Sequence, residues 1–139
     1  MPLRHATGFF YGLFMDEAVL AEAGVTARNP KMAYVEDFGL RIGRRATLVP
    51  EAGARAYGML YDLMHEELGK LYGAPGLEDY RPEAVEAHLL EGGRRPALCY
   101  NLLDAPAPGE ANAAYAKRLS EALKRLGFPA DYVASIHRA

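Results

Sequence analysis

Tyr11 and Gly12, within GFFYGLF from Gly8, are the first neighbours in the chain whose types could serve a ligand. A glycine set in an apolar run forfeits packing, so it marks a bend or a place where something closely approaches the backbone. N–H groups left uncovered beside it suit a carboxylate or a developing oxyanion. The next residues, Leu13 and Phe14, make the mouth of such a site apolar. The chain holds nine tyrosines and no tryptophan, and Tyr11, Tyr80 and Tyr115 fall at the expected edges of elements. Each alone is equally well explained by a packed ring with a bonded hydroxyl. Together they predict a pocket.

Other chemistries are poorly served. His5, His65, His88 and His137 show neither the i, i+4 pairing of a zinc helix nor an accompanying cysteine pair, so no metal is expected. Cys99 lies in the apolar run PALCYNLL, where burial raises a thiol's pKa and favours packing over nucleophilic attack. GLRIGRR, from Gly39, joins two glycines and three arginines. Without a Lys-Ser/Thr ending or a following helix it reads as a solvated hairpin and not as a phosphate loop.

The elements that must position the tyrosines follow from periodicity. The apolar run 7–14 predicts a buried strand, and Asp16 suits the N-cap of a short helix through Ala23 that Gly24 closes. Met32, Tyr34, Phe38, Leu40 and Ile42 alternate imperfectly and predict a second strand; ATLVP and RAYGMLYDL predict two more. Asp62 is placed to cap a helix over LMHEELGKLYG, stopped by Gly73 and Pro75. AVEAHLL and RPALCYNLL flank Glu91-Gly92-Gly93, which predicts a hairpin. After the Pro-rich DAPAPGE, Tyr115, Leu119, Ala122, Leu123 and Leu126 keep helical spacing until Gly127 and Pro129, and DYVASIHR predicts a last helix. Strands in the middle, joined by hairpins, with helices near the ends, predict an α+β fold with a mixed, curved or barrel-like sheet.

At 139 residues, half of them apolar, the chain suits a single domain over 1–139 with enough core to fold unaided. Sixteen basic against eighteen acidic residues leave a net charge of −2, which gathers neither nucleic acid nor a membrane surface and favours a small partner. The lone cysteine fits a reducing compartment, Asp16 and Glu17 break the N-terminal apolar run, and no segment approaches the roughly 20 apolar residues that span a bilayer. The expected location is cytoplasmic.

A strand ending in Tyr-Gly, the YGMLYDL strand, a Tyr-Arg downstream of a short helix, and DAPAPGEANAAY followed by GFPADYVASI together resemble the γ-glutamylcyclotransferase-like family over nearly the whole chain. The resemblance implies a mixed β-barrel with peripheral helices, a pocket at the Tyr-Gly loop, no metal or organic cofactor, and release of 5-oxoproline from γ-glutamyl compounds. In that reaction the substrate's α-amine loses a proton and attacks its own γ-carbonyl, while the departing amine gains one. A single Glu of raised pKa can act as base and then acid, typically worth about 10² to 10⁴ in rate. Two departures stand out: Leu13 and Phe14 replace the Ser or Thr that usually follows Tyr-Gly, and Pro75 stands where the family's Glu is expected. Glu78, three residues on, is the candidate proton carrier if the chain is active, though it reads equally as an exposed loop carboxylate. The Tyr11–Phe14 backbone, Tyr80 and Tyr115 then bind the substrate. The alternative is a non-catalytic small-molecule-binding or interaction domain on the same fold.

Overall fold

The protein is described by a computed structural model that covers residues 5–73, 75, 77–107 and 110–136. Five strands form a closed barrel: β1 (His5–Phe10), β2 (Arg28–Ile42), β3 (Ala46–Met64), β4 (Tyr80–Leu89) and β5 (Arg94–Leu102), in the order β1-β3-β2-β4-β5. Neighbours run antiparallel except β1 and β5, which meet in parallel at Gly8 and Leu98 and close the barrel. Helices α1 (Glu17–Glu22), α2 (His65–Tyr72), α3 (Ala113–Leu126) and α4 (Ala130–Ser135) lie in the connections and after the last strand. This is the mixed, barrel-like α+β architecture the alternation predicts.

Strand β1 shows why the N-terminal run is apolar throughout. Successive residues point to opposite faces, and Phe9 and Phe10 are both buried, so the strand is covered on both sides. It ends at Phe10, not at Phe14 as the run suggests. Phe10 pairs with Met59, after which the chain leaves the sheet and makes a 3-10 turn over Leu13–Met15, closed by the Met15 N–H on the Gly12 carbonyl at 3.0 Å. The Tyr61 hydroxyl donates to the Met15 carbonyl at 2.6 Å and ties this turn to the barrel. Asp16 then caps α1 as expected, accepting from the Ala18 N–H at 2.9 Å.

Two expectations are corrected. ATLVP and RAYGMLYDL are halves of one strand of 19 residues, β3, paired with β2 along its length. The interruption at PEAGAR is absorbed by a register shift between Glu36 and Phe38, where Asp37 has φ 63° and its carboxylate accepts from the Gly53 N–H at 3.0 Å. Asp62 caps no helix; it accepts from Thr7 Oγ1 at 2.8 Å and Asn29 Nδ2 at 2.9 Å, stitching β1, β3 and β2. The N-cap of α2 is instead Met64, whose N–H is satisfied by Glu67 Oε1 at 2.9 Å.

The β4–β5 hairpin turns at Gly92 and Gly93, both at positive φ, as the paired glycines predict. On α3 the expected stripe is buried at Leu119, Ala122 and Leu123, and Gly127 ends the helix. The last helix stops at Ser135, and His137 lies outside the described residues. Among the described residues no helix is long and apolar enough to cross a membrane.

Candidate functional site

Where β1 gives way to the 3-10 turn, a cavity of about 320 Å³ opens at one end of the barrel. Tyr11, Gly12, Leu13 and Phe14 line it from one side, and Tyr80 and Tyr115 from β4 and α3. Five tyrosines border it in all, since Tyr72 at the end of α2 and Tyr100 on β5 join the three singled out by sequence. Tyr72 and Tyr100 stack nearly parallel, with ring centroids 3.9 Å apart, and Phe14 meets Tyr72 edge-on at 6.0 Å. The result is an aromatic wall whose half-buried rings face the opening.

The hydroxyls of the wall are not equivalent. Tyr11 donates to the Tyr100 carbonyl at 2.8 Å, and Tyr80 donates to the Ala46 carbonyl, so both phenolic protons are committed to backbone. Tyr115 is different: its oxygen accepts from the Leu13 N–H at 3.3 Å, which leaves its own proton to offer to a ligand. No described residue bonds the hydroxyls of Tyr72 or Tyr100. Burial, reinforced by the neighbouring Tyr115, pushes the Tyr80 pKa up to about 12. Burial, together with the adjacent Cys99 and the other phenols, raises Tyr11 and Tyr72 further. At neutral pH these groups are neutral hydrogen-bonding partners.

Gly12 has a role the sequence does not disclose. Its φ of −107° is open to any residue, so no left-handed backbone demands glycine here. The constraint is Tyr115: a Cβ on Gly12 would lie 2.5 Å from its hydroxyl oxygen, far inside contact distance. The Tyr115 hydroxyl thus fills the space on the Cβ side of Gly12 and also takes the Leu13 N–H, while Gly12 itself borders the cavity. Helix α3 is set for this contact by Asn112, whose side chain caps it by accepting from the Tyr115 N–H at 3.0 Å.

Glu78 does not join the cavity. It sits, exposed, in the turn before β4; its neighbour Leu77 lines the opening and Glu78 does not. Pro75 is likewise exposed and outside the lining. No carboxylate occurs among the described residues that border the cavity. Charge is instead supplied by Arg44 and Arg45, in the β2–β3 turn, and Arg118 on α3. The hairpin expected at GLRIGRR is present but not solvated, since Leu40, Ile42 and Gly43 are buried, and two of its arginines edge the pocket, a role not read from the sequence. Arg118 was legible in principle, since it lies three residues after Tyr115 and so on the same face of a helix. Cys99 is buried and its thiol pKa is driven up by burial, in keeping with a packing role. Among the described residues no three His, Cys, Asp or Glu side chains gather as a metal site.

No protein-family model matches the sequence, and no curated protein matches it at the level of sequence. Solved structures do match in three dimensions. A structure described as "Gamma-glutamyl cyclotransferase" superimposes with a TM-score of 0.78 at 18% identity, over 96% of this chain and 86% of that one. YkqA from Bacillus subtilis matches with the same score at 23% identity, over 96% of this chain, which spans only 53% of that longer protein. An AIG2-like protein from Mus musculus matches with a TM-score of 0.57 at 19% identity, over 79% of this chain and 90% of that one. The barrel with its peripheral helices is thus shared with these structures: this chain has the γ-glutamylcyclotransferase-like fold.

Proposed function

We propose that this chain binds a small γ-glutamyl or related amide compound in the pocket at the Tyr-Gly loop and does not cyclise it efficiently. The observation that carries the reading is the chemistry of the lining: phenols and guanidiniums, with no carboxylate among the described lining residues. Cyclisation requires a group that takes a proton from the α-ammonium and returns one to the departing amine. A phenol with a pKa of about 12, as for Tyr80, is ionised in only about one part in 10⁵ at pH 7 and cannot do this at a useful rate. Guanidinium is protonated throughout. What the lining can do is hold: the Tyr115 proton suits an acceptor such as an amide or carboxylate oxygen, and the apolar walls of Leu13 and Phe14 exclude water from one side.

The γ-glutamyl assignment rests on the fold and on the name carried by a matched structure. Titration calorimetry with γ-glutamyl-amino acids and γ-glutamyl-amines tests it. Saturable binding by the wild type, lost in Leu13→Trp, whose added ring fills the cavity while circular dichroism shows the fold retained, is the expected result. No binding by any member of the panel favours an interaction domain on the same fold.

A further inference from the structure

The arginines at the pocket's edge come from two separate elements that the structure ties together. Glu110 accepts from the Arg44 N–H at 3.0 Å and from the Ala107 N–H at 2.7 Å, so its carboxylate is spent on backbone. Asn112, which caps α3 through the Tyr115 N–H, also donates from Nδ2 to the Arg44 carbonyl at 3.4 Å. The turn that carries Arg44 and the helix that carries Tyr115 and Arg118 are thereby held side by side. Arg45 is engaged by Asp79 at 3.1 Å. Arg44 and Arg118 make no side-chain ion pair with a described residue, and both border the cavity. Glu110 feels the charge of Arg44 and Arg45, and Asp79 pairs with Arg45, but the described lining itself carries three guanidiniums and no carboxylate, so it is positive where the aromatic wall ends.

Resting on the binding reading above, we propose that Arg44 and Arg118 form an anion subsite at the mouth of the pocket. The ligand is then a compound whose amine half is flat or apolar, lies against the tyrosine wall, and carries a carboxylate or phosphate outward to the two guanidiniums. The wall and the edge impose separate demands. Stacked rings favour a planar body, and paired guanidinium donors favour an oxyanion whose two or three oxygens they can share.

Three matched probes separate these demands: γ-glutamyl-4-aminobenzoate, the corresponding benzamide, and the corresponding phenylphosphonate, titrated at low salt into the wild type, Arg44→Gln/Arg118→Gln, and Lys117→Gln as a control for an exposed charge that does not border the cavity. The wild type is expected to bind the benzoate and the phosphonate about tenfold more tightly than the benzamide, with the preference shrinking as salt rises. The double substitution removes the preference and leaves benzamide affinity within about twofold, whereas Lys117→Gln keeps it. Tighter phosphonate than benzoate identifies a phosphate-type ligand, and the reverse order a carboxylate. Equal wild-type affinity for benzoate and benzamide, or a preference that survives the double substitution, overturns the subsite alone. Failure of all three probes to bind overturns the pocket reading together with it.

Discussion

Gly12→Ala and Tyr115→Phe should rescue one another. Alanine at position 12 puts a methyl carbon 2.5 Å from the Tyr115 hydroxyl oxygen, and relief requires the ring to withdraw by about 1 Å, breaking its bond from the Leu13 N–H. Overpacking of this kind costs about 1–3 kcal/mol; because the offending atom is the far end of a side chain at an open pocket, the lower half of that range applies. Replacing glycine where φ is negative returns about 0.4–1 kcal/mol by restricting the unfolded chain, so the net cost of Gly12→Ala is about 1 kcal/mol. Tyr115→Phe alone loses one neutral hydrogen bond, about 0.5–1.5 kcal/mol. In the double variant the hydroxyl is gone and the next ring atom lies 3.8 Å from the new methyl, an ordinary contact. The pair should therefore be no less stable than Tyr115→Phe alone, giving a favourable coupling of about 1–2 kcal/mol. Urea denaturation of the wild type, both single variants and the double variant measures it. Additive costs within about 0.3 kcal/mol would refute the contact and the reason offered for glycine at position 12.

Other consequences follow from the same geometry. Glu78→Gln should leave ligand affinity within about twofold and should not alter any trace of 5-oxoproline release, since Glu78 is exposed and outside the lining; a large loss of either, read by calorimetry and by 5-oxoproline assay, restores it as proton carrier. Gly58→Ala should cost about 3 kcal/mol in a denaturation experiment, because its Cβ would strike the Phe10 carbonyl oxygen, a backbone atom of the paired strand β1. Glu67 is held below the usual carboxylate range by the Met64 N–H, then the Thr26 N–H and Arg28. Its contribution, about 1–2 kcal/mol, should be complete above about pH 4.3 and vanish as pH falls through the lowered folded value; denaturation midpoints of wild type and Glu67→Gln should converge in acid. The phenols act at the other end: Tyr80, raised to about 12 by burial and Tyr115, favours folding fully below about pH 10 and loses that contribution as pH rises through 12. Ultraviolet titration should show a late-ionising tyrosine class that becomes normal on unfolding.

Much of the architecture is legible in local pattern, and the exceptions have identifiable causes. The apolar run at β1, the Asp16 cap, the Gly92-Gly93 turn and the stripe on α3 are local signals, and each produces the kind of element it implies, although β1 stops at Phe10. The single β3 strand is not, because PEAGAR reads as a break and only the pairing with β2 and the Asp37 bond to Gly53 carries the strand through it. Asp62 has the residue type of a cap, but its partners come from β1 and β2, far away in sequence. The site divides in the same way. Tyr11 to Phe14, Tyr80 and Tyr115 stand out in the sequence and border one cavity, whereas Tyr72, Tyr100, Arg44 and Arg118 reach it only through the closure of the barrel and the docking of α3. The reason for Gly12 is equally non-local, since Tyr115 lies 102 residues beyond Leu13, whose N–H it takes.

Nuclear magnetic resonance of the isotopically labelled protein with γ-glutamyl-4-aminobenzoate, followed over hours, tests the account most directly. One sample reports both occupancy and chemistry. Saturable shifts confined to the amides of the Tyr11–Phe14 loop and the first turns of α3, with the ligand intact and no 5-oxoproline above a protein-free control, are the predicted result. Steady appearance of 5-oxoproline would contradict the absence of a proton-transferring carboxylate, and unperturbed loop amides at saturating ligand would contradict the pocket itself.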